Sequence, residues 1–210
     1  FRGGALRRST VEEFIERSRK AVELLERNAA RAADLIGHFK QVAVDQSSAR
    51  RRSFDLRQTV DEMLVTLVLT FKHTRHRIEV DIPTDLQMDS YPGPLEQVIA
   101  NLVANSLAHG FVGMDEGRVE LYARPLADTH LELRYTDNGV GIASETLHRI
   151  FEPFFTTHLG QGGSGLGLYI VYNLVTGVLG GTIEVASSPG GGTVFTLLLP
   201  RTAPERGAAA

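Results

Sequence analysis

The sequence predicts a two-layer α/β sandwich, a sheet covered on one face by helices, preceded by one long helix. Three observations carry this. Short alternating segments such as "VELYA", "LELRY", "TIEVA" and "VFTLLL" read as half-buried strands. Helical periodicities interleave with these mostly sequential strands, which calls for one packed layer of each kind. Ahead of them runs an apolar stripe that no proline interrupts.

That stripe comes first. From Thr10 to Gln46 there is no Pro and Gly37 is the only Gly. Val11, Phe14, Ile15, Ala21, Val22, Leu25, Ala29, Ala32, Leu35, Ile36, Phe39, Val42 and Ala43 recur in steps of three and four. Ser9 or Thr10 can cap the helix, with Glu12 and Glu13 each three residues on. At ~1.5 Å per residue it would be about 55 Å long, a length suited to a bundle or coiled coil. A single helix packed on its own domain is the alternative. "QSSARRRS" (Gln46–Ser53) then reads as a polar, basic hinge, so residues 1–50 form a helical region and 54–200 a second domain. There the expected order is helix 57–71, strand 77–82, strand 87–91, helix 93–109, strands 118–124 and 130–136, a loop-rich stretch 138–163 with a short helix at 144–150, helix 166–179, and strands 181–187 and 193–199. Residues 201–210 read as a disordered tail.

Composition narrows the function. The 210 residues are 42% hydrophobic and 22% charged, with a net charge of −3. That balance argues against a protein held on nucleic acid by bulk electrostatics. Cysteine is absent, so there is no disulfide and no thiolate metal site. "MLVTLVLTF" (Met63–Phe71) is too short to span a bilayer, and no direct membrane contact is expected.

Five stretches carry potential chemistry. In "PLEQVIANLVANSLAHG" (Pro94–Gly110), Leu95, Val98, Ile99, Leu102 and Leu107 can face the sheet. Gln97, Asn101, Asn105 and His109 lie four apart, stacked along one stripe. Asn is a poor helix-interior residue, and neutral amide oxygens can ligate a hard cation such as Mg²⁺; a solvated polar face is the alternative. In "YTDNGVGI" (Tyr135–Ile142) a strand ends in Asp-Asn-Gly, which suits a hairpin turn or a carboxylate that accepts from an exocyclic amine. "FEPFFTTH" (Phe151–His158) reads as a small hydrophobic cluster anchoring a loop. "GQGGSGLGL" (Gly160–Leu168) has five glycines in nine residues. Gly160, Gly162 and Gly165 satisfy G-x-G-x-x-G, but no strand precedes them, and no Lys-Ser/Thr follows to make a Walker loop. A Gly-rich loop entering a helix N-terminus remains, where free N–H groups and the helix dipole favour phosphate. "SPGGGTVF" (Ser188–Phe195) is a Gly-rich hairpin turn ending in Thr193.

In this order the five stretches resemble the N, G1, F, G2 and G3 boxes of the histidine-kinase, Hsp90, gyrase and MutL ATPase superfamily, most closely the catalytic domain of bacterial two-component sensor histidine kinases. The resemblance covers about residues 54–200 and implies the Bergerat ATP-binding fold. The long helix, with "RAADLIGHFKQVAVDQ", resembles the second helix of the dimerisation and phosphoacceptor hairpin. The resemblance implies that Asn105 ligates Mg²⁺ with Asn101 as its companion, and that Gln97 shares their catalytic stripe. It makes Asp137 the acceptor of the adenine amino group, with Gly139 and Gly141 letting the backbone pass close to the base. Thr193 closes the adenine pocket; Gly163, Gly165 and Gly167 are lid glycines. Ile142, Phe154, Thr156, Thr157, Ser164, Leu166 and Leu168 complete the implied nucleotide site.

Departures from the pattern bear on the phosphates. Ala108 stands where many relatives have Lys, and His158 where others have Lys, leaving Arg149, His109 and His158 as the nearby cations. None of the seven histidines is followed by an acidic residue, so no phosphoacceptor motif is present, and the first hairpin helix is expected upstream of Phe1. His38, the one histidine of the long helix, reads as a bundle-boundary residue. The implied function is transfer of the ATP γ-phosphoryl group to a histidine, for relay to a response-regulator Asp. The implied setting is a homodimer through the N-terminal helix, in the cytoplasm, free or as the cytoplasmic portion of a membrane-bound sensor. A non-catalytic nucleotide-binding interaction module is the alternative.

Overall fold

The structure, a computed structural model, describes residues 11–23, 25–26, 50–71, 74–157 and 164–205. Residues 11–26 and Ser164 belong to one compact unit and the other described residues to a second. In the first, residues 11–23 and 25–26 are helical (α1). Val11, Phe14, Ile15, Val22 and Leu25 of its stripe are exposed, Phe14 by 71%. Glu13–Arg17 and Glu16–Lys20 pairs flank the stripe at 3.8 and 3.6 Å. The rest of the expected long helix, with His38, lies outside the described residues.

The second unit runs β1 (Arg52–Asp55), α2 (Leu56–Phe71), β2 (Arg77–Asp81), β3 (Gln87–Ser90), α3 (Pro92–Asn105), β4 (Arg118–Leu126), β5 (His130–Asp137), α4 (Ser144–Leu147), α5 (Gly167–Asn173), β6 (Thr182–Ser187) and β7 (Thr193–Pro200). Five strands form one mixed sheet in the order β2-β4-β5-β7-β6, and β1 pairs with β3 in a separate ribbon. Only β2 and β4 run parallel; the other neighbours in the large sheet are antiparallel.

Period-two alternation builds the sheet's inner face. Leu131, Leu133 and Tyr135 of β5, Phe195, Leu197 and Leu199 of β7, and Val119, Leu121 and Ala123 of β4 are all buried. Leu95, Val98, Ile99, Leu102 and Val103 of α3, with Ile170 and Val171 of α5, supply the helical layer. Pro92 and Pro94 open α3, where a missing N–H costs nothing. Leu107, expected in the core, is half-buried, and Ser106, one turn beyond Leu102, is buried instead.

Both long helices end differently from their expected course. Residues 106–110 and 174–178 are π-turns, closed by Phe111 N–H to Ser106 O and Leu179 N–H to Leu174 O, each 2.8 Å. The expected helix at 144–150 is one α-turn followed by turns.

Two boundaries also shift. The hinge expected to reach Ser53 already contains strand: Arg52 pairs with Ser90 and Phe54 with Met88, burying both apolar side chains. Asp55 then caps α2, its Oδ1 accepting from Gln58 N–H at 2.8 Å. Residues 201–205, read as the start of a tail, are bound to β3. Thr202 bridges Asp89 in parallel. Asp89 N–H donates to Arg201 O at 2.7 Å, Ala203 N–H donates to Asp89 O at 2.9 Å, and Tyr91 Oη donates to Pro204 O at 2.9 Å. Ala203 is 1% exposed, so its small apolar side chain anchors a segment whose composition looks unstructured.

Removing residues 201–210 is expected to destabilise the domain by on the order of 2 kcal/mol, since several paired backbone groups lose their partners. Urea titration measures the loss, and amide exchange at Asp89 should quicken in the truncated chain. Unchanged values for both would contradict the docking of this segment.

Candidate nucleotide site

The site lies at one end of the large sheet, where β5 ends and β7 begins. Register aligns Asp137 with Thr193, and Thr193 with Ser187 of β6. Asp137 and Thr193 are each 5% exposed. The Asp137 carboxylate is held on both oxygens: Ser106 Oγ donates to Oδ2 at 2.7 Å and Gly139 N–H donates to Oδ1 at 2.9 Å. Tyr135 Oη in turn donates to Ser106 Oγ at 2.8 Å. Burial pushes the Tyr135 phenol well above its ordinary range, against the hydrogen bond to Ser106, and the nearby Asp137 charge adds to the rise.

Thr193 is held through Ser187. Ser187 Oγ accepts from Ile142 N–H at 2.8 Å, donates to Gly192 O at 2.6 Å and lies 3.1 Å from Thr193 Oγ1. With its own proton on Gly192 O, Ser187 accepts from the Thr193 hydroxyl, whose lone pairs are left as acceptors. Of the residues expected at the site, the structure brings Asp137, Thr193, Ile142, Gly139 and Gly141 together here. Sequence reasoning missed Ser106, Tyr135 and Ser187, whose hydroxyls leave no periodic signature; the buried phase of β5 was the one available signal for Tyr135.

Asp137 and Asn138 do not form the hairpin turn that Asp-Asn-Gly allows. Asn138 Oδ1 instead accepts from Arg118 N–H at 2.6 Å, at the start of β4. The glycines beyond are required by neighbouring backbone. A Cβ at Gly139 would sit 2.6 Å from Gly110 O, and one at Gly141, where φ is +73°, would collide with Ser188 O. A Cβ at Gly192 would collide with Asp137 O. Val140 N–H donates to Gly110 O at 2.8 Å and Gly190 N–H to Val140 O at 2.7 Å, so three loops are laced through main chain.

On α3, Asn101 Nδ2 donates to the Gln97 carbonyl at 2.9 Å. Asn105 Nδ2 is buried with no hydrogen-bond partner. A Cβ at Gly167, the first residue of α5, would lie 3.5 Å from Asn105 Oδ1 and 3.7 Å from Asn101 Oδ1. Both amides therefore face the start of α5. His109, expected to continue their stripe, falls inside the π-turn, which changes the stepping after Asn105.

Residues 149–155 make aromatic contacts. Phe151 packs on Tyr172 with ring centroids 5.5 Å apart. Phe154 is 60% exposed at φ +65°, and a Cβ at Gly165 would lie 2.5 Å from the Phe154 carbonyl carbon. Arg149, proposed as a phosphate cation, pairs with Glu152 at 3.0 Å and lies 4.7 Å over the Phe155 ring. Thr156 is half-buried and Thr157 exposed; Leu166 is buried and Leu168 half-buried. Ser164 belongs to the other unit, and His158 and Gly163 lie outside the described residues.

This donor set fits a magnesium nucleotide. Among the described residues no group of three or more His, Asp or Glu can hold a metal. A cation here would draw its remaining ligands from substrate phosphates and water, as Mg²⁺ commonly does, with the neutral amide of Asn105 as protein ligand. The Asp137 carboxylate supplies an acceptor for an N–H donor.

Two variants check this geometry. Gly141→Ala is expected to cost ~3 kcal/mol or more in urea unfolding, against ~1 kcal/mol for Gly113→Ala, which has a similar φ of +75° in open space. The folded state holds the Tyr135 proton where the unfolded chain releases it. That stability is complete below the ordinary tyrosine pKa of about 10 and is lost as pH rises above it. Tyr135→Phe should therefore flatten the alkaline fall in urea midpoint above about pH 10.

Residues 91–203, over half of the chain, match the family described as histidine kinase-, DNA gyrase B-, and HSP90-like ATPase. The sensor-like histidine kinase SenX3 of Mycolicibacterium smegmatis is 32% identical over 190 residues, 87% of this chain and 48% of that protein. The catalytic domain of histidine kinase ThkA, in a nucleotide-free form, superposes with a TM-score of 0.64 at 25% identity, covering 73% of this chain and 97% of that one. The mycobacterial sensor histidine kinase MprB gives 0.61 at 26% identity, over 74% and 100%. The chain thus spans about half the length of SenX3. With its mixed sheet and the acceptor, amide and glycine positions gathered at one end, it belongs to the histidine kinase-, gyrase- and HSP90-like ATPases as a histidine-kinase catalytic ATP-binding domain.

Proposed function

We propose that this domain transfers the γ-phosphoryl group of ATP to a histidine on a bundle helix, for relay to an aspartate of a response-regulator receiver domain. The buried Asp137 carboxylate, with its two donors, carries the reading. It can accept from the adenine 6-amino group while Thr193, held by Ser187, accepts beside it. Asn105, with Asn101 one turn earlier, would hold Mg²⁺. That ion supplies charge neutralisation between the phosphates when bound.

The chain's own residues otherwise position the reactants. The N–H groups opening α5 have no intrahelical partners and lie beside the two asparagines, where triphosphate oxygens can take them. Catalysis is then largely orientation for in-line transfer to an imidazole nitrogen. The Arg149–Glu152 pair must open, or Arg149 stays out of phosphate neutralisation. Ile142, Phe154, Thr156, Thr157, Leu166 and Leu168 flank the nucleotide, and Gly163, Ser164, Gly165 and Gly167 belong to its lid.

The exposed stripe of α1 supports pairing with a second copy and with another hairpin helix. No helix among the described residues is long and apolar enough to cross a membrane. The domain would act in the cytoplasm, free or attached to a membrane sensor, with a receiver domain as its partner.

Calorimetry with Mg²⁺ and a non-hydrolysable ATP analogue should show saturable binding, weakened on the order of a hundredfold by Asp137→Ala. Asn105→Ala should flatten the Mg²⁺ dependence of triphosphate binding and spare ADP at low Mg²⁺. With γ-labelled ATP and a supplied hairpin helix bearing a phosphoacceptor histidine, acid-labile label should appear on that helix. Binding without any such label would favour a non-catalytic nucleotide-binding module.

A further inference from the structure

We infer that Tyr135 and Ser106 are positioning residues, a buried one-way hydrogen-bond relay that aims Asp137 as an acceptor and sets the site's preference for a 6-amino over a 6-oxo purine. The inference rests on Asp137 being the base acceptor.

Direction follows from counting protons. Tyr135 and Ser106 carry one hydroxyl proton each, and the Asp137 carboxylate carries none to give. The short contact from Ser106 Oγ to Asp137 Oδ2, 2.7 Å, therefore uses the serine proton. The 2.8 Å contact to Tyr135 must then use the tyrosine proton, with Ser106 Oγ accepting. Tyr135 is 1% exposed and Ser106 3%, so water does not scramble the order. Burial keeps the phenol protonated through the whole range in which a nucleotide would be bound.

The relay does more than satisfy buried groups. Ser106 sits where α3 passes into its π-turn, and its N–H bonds the carbonyls of Leu102 and Val103. A helical serine has a competing local choice, donation back to a carbonyl of the preceding turn. The tyrosine proton, arriving from β5, holds Oγ in the rotamer that donates to Asp137. Gly139 N–H fixes the other carboxylate oxygen at 2.9 Å, so the plane of the carboxylate is set from two sides. Its remaining lone pairs face a ligand that must bring a donor. A 6-amino purine brings one there, whereas a 6-oxo purine opposes oxygen to oxygen. A site built to receive a hydrogen bond rejects the analogue that cannot make it far better than an apolar pocket rejects a change of size.

The sequence route is short. Tyr135 and Asp137 are two apart on β5 and share its buried face, while Thr136 between them points out. A phenylalanine at 135 would keep the edge contact with Phe195, whose ring centroid is 6.4 Å away. Only the hydroxyl reaches Ser106.

The test is equilibrium binding of Mg²⁺–ATP and Mg²⁺–ITP to the full chain and to Tyr135→Phe, Ser106→Ala, Ser106→Thr and the Tyr135→Phe/Ser106→Ala double variant, with thermal melts alongside. The unsubstituted chain should prefer ATP by at least about tenfold. Ser106→Ala should lower ATP affinity on the order of tenfold with little change for ITP, and Tyr135→Phe should lower it about threefold. Ser106→Thr, which keeps the hydroxyl, should restore the preference. The double variant should be no worse than Ser106→Ala, because a relay has one output. An ATP-to-ITP ratio unchanged in Tyr135→Phe and Ser106→Ala, with ATP binding still weakened by Asp137→Ala, overturns the relay and leaves the base acceptor standing. ATP binding indifferent to Asp137→Ala overturns both.

Discussion

Asp137 is the one carboxylate buried in the domain core among the described residues, and the site is built around the cost of keeping it there. A carboxylate withdrawn from water needs partners that are already in place. Two come from different parts of the fold, a hydroxyl from the end of α3 and a main-chain N–H two residues along its own loop. Satisfying both fixes α3 against β5 and fixes the course of the chain after β5. The same row of the sheet places Thr193 opposite and Ser187 beyond it. A one-residue slip of β7 would turn Thr193 to the outer face and put Val194 beside the acceptor.

The π-turn at Ser106–Gly110 belongs to this arrangement. An α-helix continuing through His109 would keep Gly110 in a helical ladder. Instead Phe111 N–H returns to Ser106 O, and the Gly110 carbonyl is free to accept from Val140. Gly110 also lies close to the carboxylate: a Cβ there would be 3.7 Å from Asp137 Oδ1. The widened turn thus serves Asp137 with a donor at its first residue and a side-chain-free wall at its last. Gly139, Gly141 and Gly192 then admit backbone where any Cβ would meet a carbonyl.

The sheet was legible because each strand alternates over five or more residues, and the helices because their stripes are regular. β1 was not: "RSFD" offers one apolar residue, and the run of three arginines that leads into it looks like solvated linker. Its existence depends on Met88 and the buried side of β3, a tertiary fact. The segment 201–205 was hidden for the same reason, since Ala203 gains its role only by fitting against β3. At the site, residues with a charge or a glycine punctuation could be found from spacing. Ser106, Ser187 and Tyr135 could not, because a hydroxyl's partner is decided by strand register and helix end, neither of which a one-dimensional pattern records.

Those two hidden segments share a location, and that shapes how the domain is held. Arg51, just before β1, donates to Asp89 at 2.6 Å and lies 3.9 Å from Glu205, so the incoming and outgoing chain meet on β3. The Arg51 hydrogen bond draws the Asp89 carboxyl below its usual range. Its contribution is therefore present above that range and lost as pH falls, and because solvent still reaches this half-buried pair it stays small. The stronger tie is main chain: Asp89 gives its N–H to Arg201 and takes one from Ala203, which no change of surface charge removes. The ribbon and the catalytic end thus follow opposite rules. One is secured by paired backbone at the entry to the domain. The other places the buried Asn105 amide beside a glycine-opened helix, where its Nδ2 has no hydrogen-bond partner among the described residues.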